Sequence, residues 1–132
     1  MVPKSKRTSK ENMDTLNLAR NLATHTIHIC GNEKNFPKRY RWCLTSKIVE
    51  SAVNISCYVE MANSVYVKTH DDYLLRRNYQ TRALAETYSL HNMIEISKTV
   101  FGLESGKAAN WTKMVVDLQS CIKNWRKSDK VV

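Results

Sequence analysis

From Ser9 onward, the apolar positions recur at three- and four-residue intervals in four separate blocks. In the first, Leu16, Ala19, Leu22 (or Ala23), Ile27 and Cys30 share one face of a helix predicted over 9–30. Gly31 followed by Asn32 is a C-terminal stop for it. In the second, Leu44, Ile48, Ala52, Ile55, Val59 and Ala62 form the main stripe of a helix predicted from Pro37 to about Val67. Pro37 suits the first helical position, where its missing N–H would have no intrahelical partner anyway. Phe36 is placed to fold back on the first turn as a hydrophobic staple. A third block, Tyr79, Ala83, Thr87, Leu90, Ile94, Ser97 and Phe101, predicts a helix that starts with Asp71 or Asp72 as its N-cap and ends near Phe101. After a turn over Gly102–Gly106, with Ser105 as a cap, the fourth block reads Ala108, Trp111, Val115, Leu118, Ile122 and Trp125, an a/d spacing held over more than two heptads.

Four helices joined by short connections predict an all-α, up-down-up-down antiparallel four-helix bundle over 9–127. A disordered basic arm is expected at 1–8 and a frayed polar tail at 128–132. Two helices carry more apolar surface than one core uses. Val49, Val53 and Cys57 lie roughly opposite the main stripe of the second helix, and Met93, Ile96 and Val100 lie beside that of the third. These six are read as an oligomer interface rather than as scattered surface apolar residues.

Composition adds two constraints. The chain has 132 residues, enough for one domain with its own core, and only three Gly and two Pro, which favours long uninterrupted helices. Lys and Arg number 21 against 12 Asp and Glu, giving a net charge of +9. A small protein this basic usually meets a polyanion, nucleic acid first and an anionic membrane surface second. No stretch is apolar enough for a membrane span, and the basic N-terminus lacks the apolar region of a secretory signal, so a cytoplasmic location is expected. Cys30, Cys43, Cys57 and Cys121 show no C-x-x-C pair and are read as reduced thiols packing as small hydrophobes.

The bundle topology places the charges at two poles. One gathers Lys34, Lys38, Arg39, Arg41, Lys98 and Lys107 against Glu33 and Glu104. The other gathers the N-terminal arm, Arg76, Arg77, Lys123, Arg126, Lys127 and Lys130 against Glu11, Asp14, Asp71, Asp72 and Asp129. The stretch NFPKRYRW, residues 35–42, concentrates the question. Cations at a helix start oppose the macrodipole by a few tenths of a kcal/mol each, so a phosphate backbone is the natural use for Lys38, Arg39 and Arg41. Lys38, Arg39, Arg41, Arg76, Arg77, Lys123, Arg126 and Lys127 are therefore the candidate nucleic-acid contacts. Tyr40 and Trp42 either stack on bases or pack in the core, and for Trp42 the core is the preferred reading.

Catalytic patterns are absent. Di-iron bundles use Glu-x-x-His on two helices, and no Glu here precedes a His by three. His25 and His28 share a face, but no carboxylate or Cys completes a ligand set. Glu86 and Glu95, nine residues apart, do not share a face, and no P-loop, Gly-rich cradle or nucleophile signature occurs. The sequence predicts no enzyme, no metal and no cofactor.

The stretches NFPKRYRWCLTSKIVESA and YVEMAN, continued by RRNYQTRALAETYSL and NWTKMVVDLQSCIKNW, resemble the four-helix-bundle group around the accessory variability determinant of diversity-generating retroelements. Related to that group are the bundle proteins encoded in intervening sequences of large-subunit ribosomal RNA genes. The likeness covers nearly the whole chain after residue 10, through soft motifs, of which Phe36-Pro37 and Trp125 are the most recognisable. It implies a non-catalytic, basic homopentameric ring that binds the element's reverse transcriptase and template RNA to support mutagenic cDNA synthesis. The alternative it leaves is an rRNA-intervening-sequence-type bundle that binds RNA or protein without a reverse transcriptase.

Overall fold

The computed structural model describes residues 9–132. The arm expected at 1–8 lies outside the described residues. Four α-helices follow in order: α1 (Ser9–Cys30), α2 (Ser46–Ser64), α3 (His70–Phe101) and α4 (Ser105–Ser128). A 3-10 turn (Lys38–Tyr40) and a π-helical turn (Arg41–Thr45) lead into α2. Each helix packs on the two beside it in a ring of α1, α2, α3 and α4. Cross-helix contacts run in opposite directions along every neighbouring pair: Arg20 meets Glu60, Ser51 meets Glu86, Gln80 meets Asp129 and Trp111 meets Thr26. The fold is the expected antiparallel bundle.

The stripes of α2 and α4 pack as the periodicity predicts. Ile48, Ala52, Ile55, Val59 and Ala62 are buried, as are all six named positions of α4, while Leu44 is partly buried. In α1 the inner face runs through Thr26 and Ile29, and Ile27 is exposed. The reason is chemical. The indole N–H of fully buried Trp111 donates to the Thr26 hydroxyl at 3.0 Å, so a polar residue holds the inward position that the apolar pattern assigned to Ile27. In α3, Tyr79 packs partly on the core as expected, and Gln80 beside it is buried too, its amide donating to Asp129 at 3.0 Å.

The helix ends also depart from expectation. Thr69, not Asp71 or Asp72, is the N-cap of α3: its hydroxyl accepts from the Asp72 N–H, and the Asp72 carboxylate accepts from the Thr69 N–H, a complete capping box. Hydrogen bonds from the Lys68 N–H, then from the Thr69 N–H and side chain, hold the Asp72 carboxyl below the usual carboxylate range. Replacing Thr69 by Ala is expected to cost about 1 kcal/mol in urea unfolding. Because the Asp72 pKa is depressed in the folded state, its share of stability is present above the ordinary carboxylate pKa and is lost as pH falls through the folded value. An acid titration of stability on the wild type and Asp72→Asn, with the variant losing less between neutral and strongly acid pH, checks the sign.

At the other end of α3, Gly102 adopts the left-handed conformation (φ 63°), where a side chain would be strained. Ser105 is the first residue of α4 and Glu104 its N-cap, without a side-chain capping bond. α2 ends at Ser64, three residues early. Val65 is extended there, as a β-branched residue prefers, and its carbonyl accepts from Arg76. In the tail, the Asp129 side chain is 6% exposed and lies 3.6 Å from the Arg76 guanidinium, and the Val132 carbonyl lies 2.7 Å from His70 Nδ1.

Candidate nucleic-acid interface

The pole built from the α1 end, the α2 start, the α3 end and the α4 start is closed by aromatic rings. Phe36, 3% exposed, stands edge-on to Phe101 (5.2 Å) and Trp111 (6.0 Å), and Tyr40 tilts against Phe101 at 5.1 Å. Phe36 thus packs against both α3 and α4 at the bundle end. Pro37 sits one place before the 3-10 turn, at its N-cap, with φ −58° and ψ 141°. Anchored by Phe36, the next eight residues wind first tightly and then loosely before α2 begins.

That winding sets what faces outward. The π turn inserts a residue into the regular helical ladder. Lys38, Arg39, Arg41 and Trp42 are all exposed around it. Trp42 is 83% exposed, which corrects the core assignment and leaves the indole facing solvent. Lys38 lies 3.3 Å from Glu33 in a pair exposed on both sides, a contact of little energetic weight. The Arg39 guanidinium lies 5.0 Å from the Tyr40 ring centre. Among the described residues, neither Arg39 nor Arg41 has a carboxylate within ion-pair distance.

The opposite pole divides the remaining candidates. Arg76 is spent internally: it donates to the Val65 carbonyl and pairs with Asp129, and its side chain is only 19% exposed. Arg77 donates to the Arg126 carbonyl at 3.3 Å and lies over the Tyr73 ring. Arg77, Lys123, Arg126 and Lys127 do come together, around a shallow cavity of about 390 Å³ shared with Ser120 and Asn124. Lys123 also lies 5.5 Å from the Tyr88 ring centre. Of the five candidate contacts at this pole, Arg76 is the one paired with a buried carboxylate.

No protein family matches the chain, and no curated protein and no solved structure does either. The site must therefore be read from its own residues.

Two of the six interface candidates share a cavity. Val49 and Val53 line an apolar groove of about 490 Å³ between α2 and the end of α1, whose other walls include Cys30, Phe36 and Pro37. Ser51 is bonded to Glu86 on the flank of α2 that meets α3. Val53, Cys57, Ile96 and Val100 are exposed, whereas Val49 and Met93 pack partly on the core. Other apolar side chains, Leu74, Leu75, Met61 and Val116, are exposed to a similar degree. All four cysteines are free thiols. Only Cys30 is a buried one, and burial pushes its pKa up to about 12; Cys43 and Cys57 are exposed, not packed.

Sequence reading missed a second cavity at the aromatic pole, on the α1–α4 side. His25, His28, Ile29, Asn32, Asn35, Lys107 and Asn110 line about 270 Å³. Its one legible signal was the His25/His28 pair; the asparagines come from a loop and a different helix. The Nε2 of His25 is buried without a hydrogen-bond partner. Burial, then the proximity of His28, lowers the His25 pKa. Among the described residues no three His, Cys, Asp or Glu side chains gather in a way that could hold a metal ion. Glu86 is bonded to Ser51, while Glu95 meets His91 and Lys98 on the same helix. No helix among the described residues is long and apolar enough to cross a membrane.

Proposed function

We propose that this protein is a non-catalytic RNA-binding bundle, acting as the accessory subunit of a diversity-generating retroelement: a basic oligomer that holds template RNA for its reverse transcriptase. The observation that carries the RNA reading is the exposed group at the α2 start, where Lys38, Arg39 and Arg41 surround a solvent-facing Trp42. Cations that track a phosphate backbone beside an aromatic on which a base can stack are the common elements of single-strand binding. A core role does not account for Trp42, and the fold does not consume the arginines. The retroelement assignment rests on the resemblance of NFPKRYRWCLTSKIVESA and the helix-three and helix-four stretches to that group. A repeated site in a ring would add avidity to weak individual contacts.

The test is RNA affinity as a function of salt for the wild type and for Lys38→Gln/Arg39→Gln/Arg41→Gln. Two to three phosphates lost from a single strand flatten the log–log salt slope by about 1.4–2. The side chains are exposed, so thermal stability and the mass from light scattering should be unchanged. That mass is expected to correspond to about five subunits. An unaltered slope would shift the contacts to Lys123, Arg126 and Lys127. RNA binding without any affinity for a reverse transcriptase would favour the rRNA-intervening-sequence type of bundle.

A further inference from the structure

We propose that the cavity between the end of α1 and the start of α4 is a pocket for one unpaired RNA base, its hydrogen-bonding edge read by Asn35 and Asn110 and its face laid against the imidazoles of His25 and His28. The inference rests on the RNA reading above and names what the same pole recognises beyond phosphate.

Four observations converge on a base rather than a simple anion. First, the lining is chosen for edge recognition. Asn32, Asn35 and Asn110 each offer a carboxamide, the group that donates and accepts side by side and so matches the paired donor and acceptor of a base edge. Second, no carboxylate lines the cavity, and its single cation, Lys107, comes from the α4 start. A phosphate site would gather cations; here one ammonium suits the phosphate of the same nucleotide, with the base beyond it. Third, the walls are mostly carbon, with Ile29 and the two histidines among them, which suits a stacked ring and not an ion. Fourth, the buried Nε2 of His25 has no partner within the protein. A buried polar atom is ordinarily satisfied, and a ribose hydroxyl of the same nucleotide, lying in the plane of the imidazole, can satisfy it.

The placement suits a strand that continues from the site already described. The loop at 31–37 separates the two: Asn32 and Asn35 line this cavity, while Gly31, Glu33, Phe36 and Pro37 line the apolar groove on the α2 side. Lys38 and Arg39 follow directly after that loop. A strand held on those cations therefore has the pocket at the same pole, and a base turned out of its stack can reach it. Asn32 also holds the loop, because its side-chain oxygen accepts from the Lys34 N–H at 3.0 Å and its carbonyl accepts from the Phe36 N–H. It is therefore unsuitable as a probe, whereas Asn110, exposed on α4, can be changed without disturbing a helix contact.

Two measurements decide the matter. In the first, free nucleosides are added to the isotope-labelled wild-type protein, and the ring resonances of His25 and His28 are followed. At least one nucleoside is expected to shift both, and Asn110→Ala is expected to weaken that shift. If no nucleoside moves either histidine at millimolar concentration, the pocket is overturned, whatever the protein does with RNA. In the second, affinities for short single-stranded homopolymers of A, U and C are compared. Asn35→Ala and Asn110→Ala are each expected to weaken the preferred homopolymer roughly tenfold, to erase the preference and to leave the salt slope unchanged. A loss equal across all homopolymers, or a flattened slope, would show phosphate contact instead and overturn base reading. If the wild type binds no RNA while a nucleoside still shifts the histidines, the pocket stands and the RNA scaffold reading fails.

Discussion

Replacing Trp111 by alanine is expected to remove about 4 kcal/mol of stability, the largest single effect in the molecule. Trp111 is fully buried, stands edge-on to Phe36 and donates its indole N–H to Thr26. Alanine there leaves a cavity in the layer where α1, α4 and the loop before α2 meet, and it strands the Thr26 hydroxyl. For a domain whose total stability is about 5–15 kcal/mol, this is close to the threshold of folding. Trp111→Phe separates the terms. It keeps a ring against Phe36 but removes the donor, and a loss of about 1–2 kcal/mol is expected. Thr26→Val should cost a similar amount by leaving the indole N–H unpaired, and in the double variant the two losses should not add. Urea unfolding of the wild type and the four variants is the measurement. A Trp111→Ala variant within 1 kcal/mol of wild type would mean that this end of the bundle is not packed as described.

The second large effect is expected at the opposite pole, from Asp129→Ala. The Asp129 carboxylate accepts from the Gln80 amide at 3.0 Å and lies 3.6 Å from Arg76, with both charged side chains largely withdrawn from water. Removing it leaves a mostly buried guanidinium and a buried amide without their partner, at a cost of about 2–3 kcal/mol. The double variant Arg76→Met/Asp129→Ala should be less harmed than Asp129→Ala alone, because no unpaired charge remains. Hydrogen exchange should show the last turn of α4 opening in Asp129→Ala while α2 stays protected near Ile55. Equal losses in the single and double variants would count against the ion pair as the cause.

Both predictions concern residues that the hydrophobic pattern treats unevenly. Trp111 was legible because it falls on an a/d stripe. Its partner Thr26 was not, since a period-counting argument discards a threonine and promotes the nearby isoleucine. Gln80 and Asp129 were invisible for the same reason: each is polar, and each is drawn inward only because the other is there. Trp42 failed in the opposite direction. An aromatic residue beside a predicted apolar stripe reads as core, but the 3-10 and π turns after Pro37 change the helical phase, and no residue in RYRWCLT signals that change.

By itself the sequence determined the four helices, their antiparallel order, the stripes of α2 and α4 and the gathering of positive charge at two poles, because these follow from periodicity and chain connectivity. Only the tertiary structure decided which cations stay available. Arg76 is absorbed by the Val65 carbonyl, freed at the end of α2, and by Asp129 at the far end of the chain, while Arg39 and Arg41 stand clear, and that distinction depends on partners brought in from other elements. It also brought Asn35, Asn110 and the two histidines around one cavity. A loop and two helix ends must meet before such a cavity exists, and no local pattern along the chain records that meeting.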